Sequence, residues 1–145
     1  PLVISWGWHY GSSFVTQNQW QGTRDLAPFL SVPAAIEFQR AHDWPDVRRA
    51  CHALARQTYQ RITALTGLEP LSADSDEWFA QMVALTLPAC DADALKARLY
   101  DEYRIEVPVT RQGERLCLRV SLQAYNSQAD VDALLAALQA LLPQL

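Results

Sequence analysis

Across RLCLRVSLQAYNSQADVDALL, Arg115 to Leu135, the spacing of apolar residues switches from that of a strand to that of a helix over one short turn. Leu116, Leu118, Val120 and Leu122 alternate with Cys117, Arg119, Ser121 and Gln123, which is the pattern of a strand with one buried face. Val131, Leu134, Leu135, Leu138, Leu141 and Leu142 then fall on one helical stripe, and Ser127 and Asp130 stand at capping-box spacing where that helix opens. A strand face and a helix stripe this close in sequence can both be buried only if a sheet is covered by helices. Arg119 is the irregular member of the strand. Alternation puts it on the polar side, where a solvated arginine is the ordinary reading and an arginine aimed at an anion is the sharper one; this stretch leaves both open.

Upstream, the same signals recur. Asp25 is placed to cap a short helical turn through Leu30. Ser31 is placed to cap a further helix, with Pro33 in its first turn, that runs to about His42. Trp44-Pro45 ends that helix, and a long helix is expected from about Asp46 to Thr66, with Val47, Cys51, Leu54, Thr58, Ile62 and Leu65 on one face and Gly67 as its stop. The run EWFAQMVALTLP has strand composition and is closed by Pro88. Asp91 caps a helix to about Tyr103, with Leu95 and Leu99 inward and Lys96, Arg98 and Asp101 outward. Ile105 to Val109 and Arg115 to Leu122 are expected as two strands joined by the Gly-containing turn TRQGE. The fold class expected is therefore α+β, a small, largely antiparallel sheet with helices on one face. Residues 25 to 145 form this domain, and residues 1 to 24 form a lead-in loop with a short strand at Leu2 to Ser5 and the aromatics Trp6, Trp8, Tyr10, Phe14 and Trp20.

Composition sets limits on function. With 145 residues, half of them hydrophobic, the chain can bury one proper core. A net charge of -4 and the lack of a basic patch argue against nucleic acid or an anionic membrane surface as partner. No apolar run reaches the ~18 residues of a membrane span. Three scattered cysteines, Cys51, Cys90 and Cys117, suit a reducing, cytoplasmic setting with unpaired thiols. The start, PLVISWGWHYG, lacks an initiator Met and is apolar and aromatic from its first residues, as in the middle of a longer protein; a trimmed terminus would look the same. His9, His42 and His52 lack metal-ligand spacing, and Cys117, between leucines, reads as a packing thiol. Neither a metal site nor a catalytic residue is assigned.

Three segments in order, WQGTRDLAPFLSVPAAIEF, EWFAQMVALTLP and LRVSLQAYNSQADVDALLAAL, together with the opening PLVISWGW, resemble the C-terminal part of class V pyridoxal-phosphate enzymes, in particular the isopenicillin N epimerase-like aminotransferases. The resemblance spans essentially the whole chain. It implies the small domain of a fold-type I pyridoxal-phosphate enzyme, from a homodimeric parent that transaminates or epimerises an amino acid. It implies that Gly22 and Thr23 reach the cofactor phosphate across the dimer, and that Arg119 binds the substrate α-carboxylate. A glycine lets backbone come close, a threonine adds neutral donors, and a guanidinium meets a carboxylate with two parallel hydrogen bonds. Asn126 and Ser127 are read as structural, opening the last helix.

In the family the Schiff-base lysine, the aspartate on the pyridine nitrogen and the stacking aromatic all lie upstream of the segment resembled. The single lysine here, Lys96, matches none of them. The resemblance thus implies pyridoxal phosphate in the full-length parent, none bound to this chain alone, and an inactive fragment. The turn VTRQGERL lacks the cysteine and histidine of the RxGxHC-like motif of cysteine desulfurases, which disfavours that branch. The alternative reading is a stand-alone, non-catalytic α+β interaction module that kept the fold and lost the cofactor chemistry.

Overall fold

The structure, a computed structural model, describes residues 13–19 and 23–144. The chain divides into two contact units, residues 1–42 and 43–145. The expected strand at Leu2 to Ser5 lies outside the described residues, as do Trp6, Trp8, Tyr10 and Trp20.

In the first unit, α1 (Phe14–Gln19) replaces part of the expected loop. Its start is fixed by a reciprocal pair: the Thr16 amide donates to Ser13 Oγ at 3.1 Å, and the Ser13 amide donates to Thr16 Oγ1 at 3.3 Å. α2 (Ala27–Leu30) opens where expected, with Asp25 Oδ1 accepting from the Ala27 amide at 2.9 Å. α3 (Val32–Ala41) also lies where expected, but Ser31 does not cap it. Ser31 has helical backbone angles, and its hydroxyl donates back to the Pro28 carbonyl at 2.9 Å, so the turn before α3 consumes the side chain meant for it. Neither α2 nor α3 buries a residue.

The second unit holds the core. α4 (Trp44–Thr66) starts two residues earlier than Pro45 had suggested, because a proline in the first turn lacks only an N–H that would have had no helical partner. Asp43 takes the left-handed region at φ 46° to turn the chain into it, and Gly67 at φ 65° ends it, its amide on the Thr63 carbonyl. Cys51, Ala55, Thr58, Tyr59 and Ile62 are buried, Leu54 and Leu65 pack at the core's margin, and the buried Thr58 hydroxyl is satisfied by the Leu54 carbonyl at 2.8 Å.

β1 (Met82–Leu87), β2 (Val109–Gln112) and β3 (Arg115–Ser121) make an antiparallel sheet in the order β1-β3-β2. The register sets Val83, Leu85 and Leu87 opposite Val120, Leu118 and Leu116 on one buried face. Two strand expectations are corrected. Residues 77–81 do not join β1: Phe79 and Ala80 are held by Tyr59 and His52 of α4, and only Gln81, whose carbonyl accepts the Leu122 amide, reaches toward β3. The second strand is not Ile105 to Val109 but Val109–Gln112. The Ile105 amide is taken by the Leu99 carbonyl, Pro108 has no amide to offer, and Gln112 pairs with Arg115, leaving a two-residue turn with Gly113 at φ 60°.

α5 (Ala92–Tyr103) is capped by Asp91, whose Oδ1 accepts from the Asp93 and Ala94 amides, both at 3.0 Å. α6 (Gln128–Leu141) opens on the expected capping box of Ser127 and Asp130 and runs into a 3-10 turn, Leu142–Gln144. α4 packs on β1, α5 on β2, and α6 against both helices, closing a core in which Ile62, Leu95, Leu99, Leu118, Leu138 and Leu141 are fully buried. The α+β class, with a small antiparallel sheet and helices on one face, is the fold found. Among the described residues no helix is long and apolar enough to cross a membrane.

The connection from α4 to β1 is a clamp. His52, Arg56 and Gln60, spaced four apart on α4, hold it: His52 contacts Asp76 and the Ala80 carbonyl, Arg56 Nε donates to Asp74 at 2.7 Å, and Gln60 donates to Asp74 at 2.8 Å. Phe79 stacks on Tyr59 with ring centroids 5.5 Å apart, and the Tyr59 hydroxyl donates to the Ser72 carbonyl at 2.7 Å.

Candidate functional site

Arg119 sits on the face of β3 away from the helices, opposite Ala84 of β1. Its amide donates to the Pro108 carbonyl at 3.0 Å, one rung beyond the end of β2. The side chain is exposed, and among the described residues the guanidinium has no hydrogen bond or ion pair. On that same face the neighbouring cysteine is treated differently. Cys117 is only 2 % exposed, and Thr86 opposite it donates to the Glu69 carbonyl at 2.9 Å, which ties the segment after α4 to β1 at that end. At the other end Met82, Arg119 and Ser121 are exposed and Ala84 is half-buried.

Beside Arg119 lies a cleft of about 360 Å³, between the Arg104 to Pro108 segment and the start of α6. Ser121, Asn126, Asp130 and Glu106 also line it. Asp130 is engaged by the Ser127 amide at 2.7 Å, completing the cap. Asn126, read from the sequence as structural, closes the turn after β3: its Oδ1 accepts the Gln123 amide at 2.9 Å and its amide donates to the Gln123 carbonyl at 2.8 Å. It therefore shapes one wall of the cleft. Gln81, which the sequence reading passed over, binds this turn from outside, donating to the Leu122 carbonyl at 3.1 Å and to Gln123 Oε1 at 3.3 Å.

Thr23, the other expected site residue, is exposed in the first unit just before α2, and Gly22 lies outside the described residues. Beyond Thr23, Arg24 rests over the Phe29 ring at 4.2 Å. Lys96 stands on the outward side of α5, about half exposed, with its Nζ 4.0 Å from Asp93. An amine that holds a cofactor as a Schiff base must shed its proton in a secluded pocket. Lys96, exposed on the helix surface, has no such seclusion. Arg119, exposed and without a side-chain hydrogen bond or ion pair among the described residues, could meet an anion, whereas Lys96 does not suit a covalent cofactor anchor. The three cysteines are free and buried, and burial pushes the Cys90 thiol pKa up, so Cys90 is no poised nucleophile.

Residues 12–134 match the family model described as aminotransferase class-V. The isopenicillin N epimerase of Amycolatopsis lactamdurans is 35 % identical, over 97 % of this chain and 39 % of its own length. That of Streptomyces clavuligerus is 34 % identical over 83 % of this chain and 31 % of its own length. The chain thus spans well under half of the relatives it matches. In fold alone, the crystal structure of 8-amino-7-oxononanoate synthase from Francisella tularensis matches 74 % of this chain and 30 % of that one, with a TM-score of 0.56 at 20 % identity. The chain belongs to the class V aminotransferase family.

Proposed function

We propose that this chain is the C-terminal domain of a longer, homodimeric, cytoplasmic enzyme that uses pyridoxal phosphate to transaminate or epimerise an amino acid. The observation that carries the proposal is Arg119, whose guanidinium stands exposed on the outward face of β3 without a hydrogen bond or ion pair among the described residues. An arginine in that state has its full set of donors free for a ligand.

In the complete enzyme, pyridoxal phosphate supplies the electron sink for chemistry at the α-carbon. This chain's residues position the substrate. Arg119 binds the α-carboxylate through two parallel N–H···O bonds, fixing both charge and the plane of approach. The rigid sheet beneath makes that placement reproducible, since β3 is the central strand and is paired on both sides. Gly22 and Thr23 donate to the cofactor phosphate of the partner subunit. The 145 residues alone, with Lys96 on an outward helix face, turn over no amino acid.

The test is Arg119→Lys in the full-length protein. Lysine keeps the charge and loses the fork, so kcat/KM for the amino acid should fall by about 30-fold, the equivalent of about 2 kcal/mol. An unchanged kcat/KM removes Arg119 from the site.

A further inference from the structure

His52 and the turn beside Arg119 are joined by two sets of hydrogen bonds that meet at the Ala80–Gln81 peptide link. His52 Nδ1 is 2.8 Å from the Ala80 carbonyl, and Nε2 is 3.0 Å from Asp76 Oδ1. Both partners are acceptors only, so both ring nitrogens must carry hydrogen, and the geometry is that of an imidazolium. The next residue, Gln81, accepts the Leu122 amide on its carbonyl at 2.8 Å while its side chain donates to Leu122 and Gln123. Gln123 Oε1 also accepts the Ala124 amide at 3.0 Å, and the Gln123 amide reaches Asn126 in the cleft wall.

We propose that His52 and Gln81 are positioning residues for the Arg119 site: the His52 imidazolium fixes Ala80, and Gln81 carries that position into the Leu122 to Asn126 turn. The proposal rests on the reading of Arg119 as the carboxylate anchor. It makes the site sensitive to pH. When His52 loses its proton, one ring nitrogen presents a lone pair to a carbonyl or carboxylate oxygen, and that contact turns repulsive.

The charges around the ring set where this happens. Asp76 faces it from the loop, with Glu77 beside it. Arg56 faces it from the next turn of α4, itself held by Asp74, and Arg48 stands one turn before. The bonds to Asp76 and Ala80 raise the imidazole pKa above 6.5, opposed first by partial burial of the ring and then, with a smaller effect, by Arg56. Phe79 covers the ring at 5.5 Å.

Amide exchange of residues 76–81 and 122–126, corrected for intrinsic rates, tests the coupling in the full-length enzyme. Between about pH 6 and about pH 8.5, protection of both segments should fall by about threefold or more in the wild type. In His52→Gln both segments should already be loose at the lower pH and pH-insensitive. In Gln81→Ala the 122–126 segment should loosen while 76–81 keeps its pH response. Protection of 122–126 that ignores both substitutions overturns the proposal. In kinetics, His52→Gln should raise KM for the amino acid several-fold, leave kcat nearly alone and abolish the alkaline rise in KM. A His52→Gln enzyme with unaltered KM, beside an Arg119→Ala enzyme with raised KM, also overturns it. Should Arg119→Ala itself leave KM unaltered, the carboxylate reading has failed, and the exchange data separate that failure from a failure of the coupling.

Discussion

Cys117 and Arg119 are two residues apart on the same face of the same strand, yet one is sealed and the other open. The segment after α4 is bonded to Thr86, the β1 partner of Cys117, and no such bond is made to Ala84, the partner of Arg119, among the described residues. Strand alternation assigns both to one side and says nothing of what lies above each. What the difference teaches is that a solvent-side position becomes a candidate site through the path of a distant loop. The strand supplies rigidity, and the loop decides which end is left for a ligand.

The largest effect should come from the opposite face. Leu118 is fully buried between the other strands and the helices, so Leu118→Ala should destabilise the chain by about 3 kcal/mol in denaturant unfolding. A loss under about 1 kcal/mol would mean that the helices do not close over that face. At the sealed end, Cys117→Ser puts a hydroxyl where a thiol packs and should cost about 1–2 kcal/mol. At the open end, Arg119→Ala should change stability by no more than about 0.5 kcal/mol, because no side-chain hydrogen bond or ion pair among the described residues is lost. If these last two costs came out equal, the contrast between the ends of the face would be wrong.

The smallest effect is pH dependence at the clamp. With its folded pKa raised, His52 contributes stability that is complete below its ordinary 6.5 and is lost as pH rises through the raised value. Asp76, lowered chiefly by its bond to His52, contributes stability that is lost as pH falls through its depressed value. The midpoint of unfolding should therefore decline from about pH 6 upward in the wild type and be flatter in His52→Gln. A midpoint that rises over that range in the wild type would contradict the imidazolium.

Much of the fold was legible because its cues are local. The 3.6 period placed α4, α5 and α6, Asp91 and the Ser127/Asp130 pair fixed two helix starts, and Gly67 fixed an end. The second strand was not legible, since its start depends on Arg104 turning left-handed at φ 60° and on which amides Leu99 and Pro108 leave available. Ser31 misled because its hydroxyl had a competing acceptor one turn back. Arg119 was legible as a site residue only through the resemblance. The clamp carried one signal that was overlooked: His52, Arg56 and Gln60 recur every four residues on α4, opposite a turn holding Asp74 and Asp76. Gln81 offered none, because bonds to backbone carbonyls leave no mark on composition or period.

The central claim is that Arg119 recognises a carboxylate. It is tested most directly by comparing, in the full-length enzyme, binding of a substrate amino acid with that of its carboxamide, for wild type and Arg119→Ala. The account predicts that the wild type prefers the acid by about 30-fold or more and that Arg119→Ala loses nearly all of that preference. A preference that survives intact in Arg119→Ala would contradict it.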